Sequence, residues 1–211
     1  MKKTFVLVVL FVLPLVAYLF FASGVNNFGK LPVLTEKVQD LGVIDNSQTM
    51  DDKITILGFL GKDAAHKKGN AFNLNQKIYK RFYEFNDFQT VMVMPLGTEE
   101  AVAEIEQELE NLTDTRNWKF VYADDAQIRQ LFNSLKTDVR LDENLGTPYV
   151  FIIDKDRNLR GRTDDEDEGT KYGFNTTSVA ELNNKMEDDV KIILAEYRLA
   201  LKKNNARSAK Q

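Results

Sequence analysis

Residues 53–70 read KITILGFLGKDAAHKKGN, and they give the strongest indication of how this chain folds. Lys53–Leu60 is an apolar run rich in strand-forming residues, which predicts a buried central strand. The polar residues Gly61–Asn70 predict a loop after that strand. Apolar residues then recur at helical spacing from Ala71 to Phe85, which predicts the first long helix. The stretch therefore predicts a strand–loop–helix unit at the centre of an α/β sheet.

The rest of the chain continues the alternation of strand and helix. Further strands are predicted at Thr90–Met94, Trp118–Tyr122 and Tyr149–Ile153, with a hairpin return at Leu159–Arg162. Helices are predicted over Glu99–Leu112, from Asp124 to Phe132, and from Ser178 onward. This order predicts an α/β fold with helices on both faces of a central sheet.

An uncharged apolar run, Thr4–Ala22, follows the two lysines Lys2 and Lys3. About 19 helical residues span roughly 28 Å, which is enough to cross the hydrocarbon core of a bilayer. The leading lysines place the N-terminus in the cytoplasm. The chain is thus predicted to be a single-pass protein of a bacterial inner membrane, with its C-terminal domain in the periplasm. The alternative is a cleaved signal peptide, since the small residues Ala22-Ser23-Gly24 offer a cleavage site.

Four regions follow from these patterns. Residues 1–24 are predicted as the membrane anchor or signal peptide, and residues 25–50 as a tether with leading strands around Val33 and Val43. Residues 51–203 are predicted as the α/β domain and residues 204–211 as a flexible tail.

Composition excludes several functions. The chain has no cysteine, so it has no thiolate for disulfide exchange, for peroxide reduction or for binding copper. Its formal net charge is −4, and this acidic balance argues against nucleic acid as a partner. No cofactor is predicted.

Three features in order carry a resemblance to a known family. They are the strand–loop–helix of residues 54–85, the triplet Gly146-Thr147-Pro148 before a strand, and the hairpin VFIIDKDRNLRGR of residues 150–162. Together they resemble the thioredoxin superfamily, and within it the SenC/Sco group of membrane-anchored copper-handling proteins. The resemblance implies a thioredoxin-like central sheet, with a cis-proline at Thr147-Pro148 that faces the loop Gly61–Asn70.

The departures from that family concern its chemistry. Sco proteins bind copper through a C-x-x-x-C motif on the loop and a histidine further along the chain. Here the loop reads GKDAAHKKGN, and no histidine follows His66. The resemblance is therefore to a degenerate member that lacks the cysteines and the histidine ligand. No catalytic residue, metal-binding residue or cofactor-binding residue carries over.

The loop nevertheless contains candidate partner-binding residues, namely Lys62, His66, Lys67 and Lys68. They could attract an anion or the acidic surface of a protein partner. His66, the only histidine, could also be a lone metal contact or a proton-transfer group, and the simplest alternative for all four is a solvated polar loop. The acidic run Asp164–Glu168 lacks the spacing of a calcium loop and predicts a charged surface loop.

The chain has the three sequence features of the fold but lacks the cysteines and the histidine ligand. This combination predicts a non-enzymatic domain. Its predicted role is as a binding or scaffold subunit of an envelope complex, with the membrane and a protein as its partners. Two alternatives stay open. One is a Sco-like accessory protein in copper delivery or cytochrome oxidase assembly, and the other is an enzyme whose chemistry the motifs do not reveal.

Overall fold

The computed structural model describes the backbone of residues 9–16 and 29–208, and their side chains up to residue 200. The strands are β1 (Val33–Thr35), β2 (Ile54–Phe59), β3 (Phe88–Pro95), β4 (Trp118–Ala123), β5 (Tyr149–Ile153), β6 (Leu159–Arg160), β7 (Arg162–Asp165), β8 (Gly169–Lys171) and β9 (Phe174–Asn175). Helix α1 comprises Ala64–Leu74, a π-helical turn at Asn75–Tyr79, and Lys80–Phe82; α2 is Glu99–Glu110 and α3 is Asp125–Ser134. Helix α4 comprises Val179–Glu181, a π-helical turn at Leu182–Met186, and Glu187–Ser208.

The main sheet has the strand order β1-β6-β5-β2-β3-β4, and β9 pairs with β5. Strands β2, β3 and β4 run parallel to one another, because a helix connects each consecutive pair. Strand β5 is antiparallel to both β2 and β6, and it forms a hairpin with β6. The sheet is mixed and lies in an α/β fold, as predicted, and the predicted strands at residues 54–59, 90–94 and 149–153 all belong to it.

Helices cover both faces of the sheet, as the pattern predicts. Ile54 and Ile56 of β2 face a core cluster that includes residues of α1, α2 and α4. Leu57 and Phe59 of the same strand face a second cluster, which includes residues of α3 and of the segment before β2. Because side chains alternate across a strand, a continuous apolar run can fill two cores at once.

Several predicted boundaries differ from the structure. The predicted loop Gly61–Asn70 is mostly helix, since α1 begins at Ala64, where two alanines favour helix despite the polar residues around them. The expected strand around Val33 is present, whereas Val43 ends a short 3-10 helix. The acidic run at 164–168 is not only a loop: it begins in β7 and forms the turn of a second hairpin with β8.

The predicted tether, residues 25–50, contributes to the domain. Leu31, Val38, Leu41 and Met50 are buried in its core clusters. From Leu31 onward, packing therefore joins this segment to the domain that was predicted to begin at residue 51.

The predicted anchor, Thr4–Ala22, lies for the most part outside the described residues. Within it, residues 9–16 are helical and their apolar side chains are exposed. Among the residues that the structure describes, no helix has the length and apolar character needed to cross a bilayer.

Candidate functional site

The candidate site lies where β2 passes into α1, beside the segment that precedes β5. Lys62 donates a backbone hydrogen bond to the carbonyl of Asn144 (2.7 Å), and Thr147 donates one to the carbonyl of Phe59 (2.9 Å). The sequence separates these segments by more than 80 residues. The segment that precedes β5 is therefore in direct contact with the end of β2 and with the start of the predicted loop Gly61–Asn70.

Two glycines make this contact tight. Gly61 has φ +78°, and a Cβ atom there would lie 2.5 Å from the carbonyl oxygen of Asn144. A Cβ atom on Gly146 would lie 2.6 Å from the carbonyl oxygen of Leu60 and 2.6 Å from Nζ of Lys67. No side chain fits at either position, so the backbones themselves fill the space between the two segments.

Ion pairs neutralise the three candidate lysines. Lys62 Nζ lies 2.8 Å from Asp125 Oδ2, and Lys68 Nζ lies 3.1 Å from Glu108 Oε1. Lys67 pairs with Asp142. The positive charge that the loop sequence suggests is thus balanced by carboxylates from three other parts of the chain.

Asp142 holds the second segment in place. Its Oδ1 accepts hydrogen bonds from the backbone N–H groups of Asn144 (3.0 Å) and Gly146 (2.8 Å), while its Oδ2 accepts one from Lys67. Burial favours the neutral acid, but the hydrogen bonds from Lys67 and from these backbone groups outweigh it and lower the pKa of Asp142. Asp142 therefore stays ionised and holds Lys67 beside Gly146.

His66 stands apart from this arrangement. Its side chain is 88% exposed, and its Nδ1 lies 3.8 Å from Asp63 Oδ1. That distance is too long for a hydrogen bond that would orient the imidazole. His66 therefore projects from the first turn of α1 into solvent, without a second group positioned to share a metal ion or a proton.

The predicted cis-proline is wrong. All peptide bonds of the described residues are trans, including Thr147–Pro148. The carbonyl of Pro148 accepts hydrogen bonds from the backbone N–H (2.9 Å) and the Oγ1 (2.6 Å) of Thr176. With the bond trans, these hydrogen bonds adjoin the pairing of β5 with β9. A Thr-Pro dipeptide before a strand does not by itself select the cis isomer.

Metal-ligating side chains do not converge within the described residues. No group of three or more histidine, aspartate or glutamate side chains there could hold a metal ion. The sequence-based prediction did not include Asp125, Asp142 and Glu108, which complete the ion pairs of this site. They come from 63, 75 and 40 residues away from their lysines, and no local motif signals such pairs.

No protein-family model matches the chain, and no curated protein matches it. The chain is similar to solved thioredoxin-like structures. One is a protein of Aquifex aeolicus VF5 assigned provisionally to electron transport, with 18% identity over 68% of this chain and 83% of that one, and a TM-score of 0.48. Another is the thioredoxin domain of a thiol-disulfide oxidoreductase of Bacteroides vulgatus, with 16% identity over 76% of this chain and 95% of that one, and a TM-score of 0.42.

A third similar structure is ScoI of Bradyrhizobium japonicum with copper bound, with 12% identity over 68% of this chain and 87% of that one, and a TM-score of 0.40. At such identities and TM-scores these likenesses carry no conclusion about activity. The function of this chain has to be argued from its own residues.

Proposed function

We propose that the chain is a non-enzymatic, thioredoxin-like binding or scaffold subunit of an envelope complex. In this proposal its N-terminal apolar segment holds it at the outer face of a bacterial inner membrane. The observation that supports it best is the closed site between β2 and β5. Where the resemblance puts a reactive loop, Gly61 and Gly146 pack backbone against backbone, and the Lys67–Asp142 pair lies beside Gly146.

A closed site argues against chemistry at this position. Covalent catalysis needs an activated nucleophile with access to its substrate. The chain has no cysteine, and the lysine nearest the site is held as an ammonium donor to a carboxylate. An ammonium group has no free electron pair, so Lys67 cannot attack a substrate while this ion pair persists.

The same features favour a role in binding. The two packed cores, together with ion pairs between elements, stabilise the domain. The surface of such a domain can vary without loss of the fold, and so it can be adapted to a partner. A membrane tether raises the local concentration of such a domain near membrane partners, so weak contacts suffice for a stable complex.

Crosslinking with mass spectrometry on intact membranes tests the proposal. With the full chain at its natural abundance, we expect reproducible crosslinks from the domain to one other envelope protein, and recovery of that protein in stoichiometric amount. A chain that crosslinks to nothing and runs as a monodisperse monomer after mild solubilisation would contradict the proposal.

A His66→Ala variant separates the binding role from an enzyme centred on His66. If the role is binding alone, the variant keeps the crosslinks and supports growth like the wild type. A variant that keeps its partner but loses function would instead favour the enzyme. If the recovered partner is a copper carrier or an oxidase subunit, the accessory role in copper delivery gains its first direct support.

A further inference from the structure

A cavity of about 380 Å³ lies between the C-terminal part of α3 and the segment that follows it. Arg129, Asn133 and Lys136 line one wall, at spacings that place them on one face of a helix and its continuation. Val139, Arg140 and Leu141, from the segment after α3, also line it. Neither the predicted partner loop nor the closed site contributes to this cavity.

The cavity is positively charged. Arg129, Lys136 and Arg140 line it together with no carboxylate. All three are exposed, and no carboxylate oxygen of the described residues lies within 4.0 Å of their charged groups. This contrasts with the lysines of the closed site, which all have acidic partners. In a chain of net charge −4, three uncompensated cations around one cavity form a local positive field.

The floor of the cavity is apolar, and the cavity continues beyond it. Phe132 is buried at the base, while Val139 and Leu141 are half-buried. A second cavity of about 280 Å³ shares Val139 and Arg140 with the first and reaches Pro148. The two cavities adjoin at these residues and together form one depression, whose lining extends from α3 to the start of β5. Its positive charge is concentrated at the α3 end, because Asp138 and Glu168 line the far part.

We propose that this depression binds an extended acidic segment of a protein partner. Carboxylates of the segment would pair with Arg129, Lys136 and Arg140, and an apolar side chain between them would pack on Phe132. Two adjoining cavities of about 380 and 280 Å³ favour a peptide over a small anion, which would occupy the α3 end alone. Arginine forks match carboxylates in a bidentate way, which adds orientation to the attraction. This inference rests on the proposed binding function and names the surface that serves it.

Fluorescence anisotropy with labelled peptides tests the site on the full chain in detergent. The probe is a capped hexapeptide of alternating glutamate and phenylalanine, compared with its glutamine–phenylalanine counterpart and with inorganic phosphate as a competitor. We expect the acidic peptide to bind, and its affinity to fall as the salt concentration is raised from about 50 to about 300 mM. Salt in this range screens exposed charges over distances of about 10 Å. Equal binding of the glutamine peptide would overturn the proposal, and so would full displacement by millimolar phosphate, which would indicate an anion site only.

Charge-matched variants locate the binding. The double variant R129Q/R140Q should weaken the acidic peptide by about tenfold, since each exposed pair contributes modestly. The control K77Q/K80Q removes the same charge from a different helix and should leave the affinity within about twofold. Equal losses in both variants would mean binding to net charge alone and would overturn the proposal.

The membrane crosslinking experiment distinguishes a failure of the proposed binding site from a failure of the proposed scaffold function. If R129Q/R140Q crosslinks to the same partner as the wild type and in the same amount, the scaffold role holds and the site is wrong. If the wild type finds no partner at all, the scaffold role fails, and the peptide measurements still decide whether the depression binds acidic segments.

Discussion

At the scale of single residues, a buried carboxylate provides the clearest link between structure and stability. Asp165 in β7 is nearly inaccessible, and its two oxygens accept hydrogen bonds from Lys185 Nζ at 2.8 and 2.9 Å. Burial favours the neutral acid, but the hydrogen bonds from Lys185 and from the backbone of Asp167 outweigh it and lower the pKa of Asp165. Hydrogen bonds to Asp165 and Asp167 likewise raise the pKa of Lys185. The pair ties the β7–β8 hairpin to helix α4.

The sign of the pH dependence follows from these directions. Because the pKa of Asp165 in the folded state lies below its usual 3.8, its contribution is complete above pH 3.8 and is lost as the pH falls toward the folded-state value. We expect Asp165→Asn to lower the free energy of unfolding by about 2 kcal/mol at pH 7, and by less at pH 3. Urea denaturation at both pH values measures this difference.

Asp164→Asn is the matched control, because Asp164 is the exposed neighbour of Asp165 on the same strand. It should change the free energy of unfolding by less than about 0.5 kcal/mol at either pH. An Asp165→Asn variant with the same loss at pH 7 and at pH 3 would contradict the assignment of the pH dependence to this carboxylate.

At the scale of secondary-structure elements, two glycines near the junction between β2 and α1 have opposite effects on stability. Gly61 is required by the backbone conformation, whereas Gly69 weakens the helix. Gly61 has a positive φ and no room for a Cβ atom, whereas Gly69 lies inside α1 with nothing within 4 Å of an added Cβ atom. We expect Gly61→Ala to lower the free energy of unfolding by about 2 kcal/mol through strain and overlap. Gly69→Ala should raise it by about 0.5–1 kcal/mol, because alanine favours helix.

The two glycine variants control for each other, since each adds one methyl group near the candidate site. Thermal or urea unfolding of the pair gives the comparison directly. If both substitutions destabilise the domain equally, the close packing of the two segments at Gly61 would not be what holds the site closed.

At the scale of the whole molecule, the distribution of possible metal ligands predicts weak copper binding. The chain has no cysteine and one histidine, and Met50, Met92, Met94 and Met186 are buried in the two cores. We expect the purified protein to bind no stoichiometric Cu(I) at submicromolar affinity in competition with a chromogenic chelator. His66→Ala serves as the control and should match the wild type. Tight stoichiometric binding that depends on His66 would contradict this prediction.

The N-terminal segment predicts how the whole molecule is attached. An uncharged apolar run as long as Thr4–Ala22 is strongly favoured in hydrocarbon, since each leucine, phenylalanine or valine contributes roughly −0.3 to −0.6 kcal/mol. We expect the mature protein to start with its leading lysines and to resist extraction by alkaline carbonate. N-terminal sequencing checks this, and a mature protein that starts at Val25 would show that the segment is a cleaved signal peptide.

Much of the fold could be predicted from the sequence, but little of the candidate site could. The strands around Ile56, Met92 and Ile152 were predictable because continuous apolar runs are a local signal for buried strands. The start of α1 at Ala64 was missed because polar residues dominate that stretch. The lysine–carboxylate pairs were missed because their partners are brought together only by the sheet.

Local residue patterns and composition were enough to predict the alternating α/β order, the division of core side chains between two faces, and the absence of thiol chemistry. These are properties of composition and of periods of two or 3.6 residues, which act over short stretches of chain. Three features emerge only in the folded chain: the junction between β2 and α1 is closed and charge-balanced, Thr147–Pro148 is trans, and Arg129 and Arg140 line one cavity. Those outcomes depend on which distant elements meet, and local residue patterns do not encode the distance between side chains on separate elements.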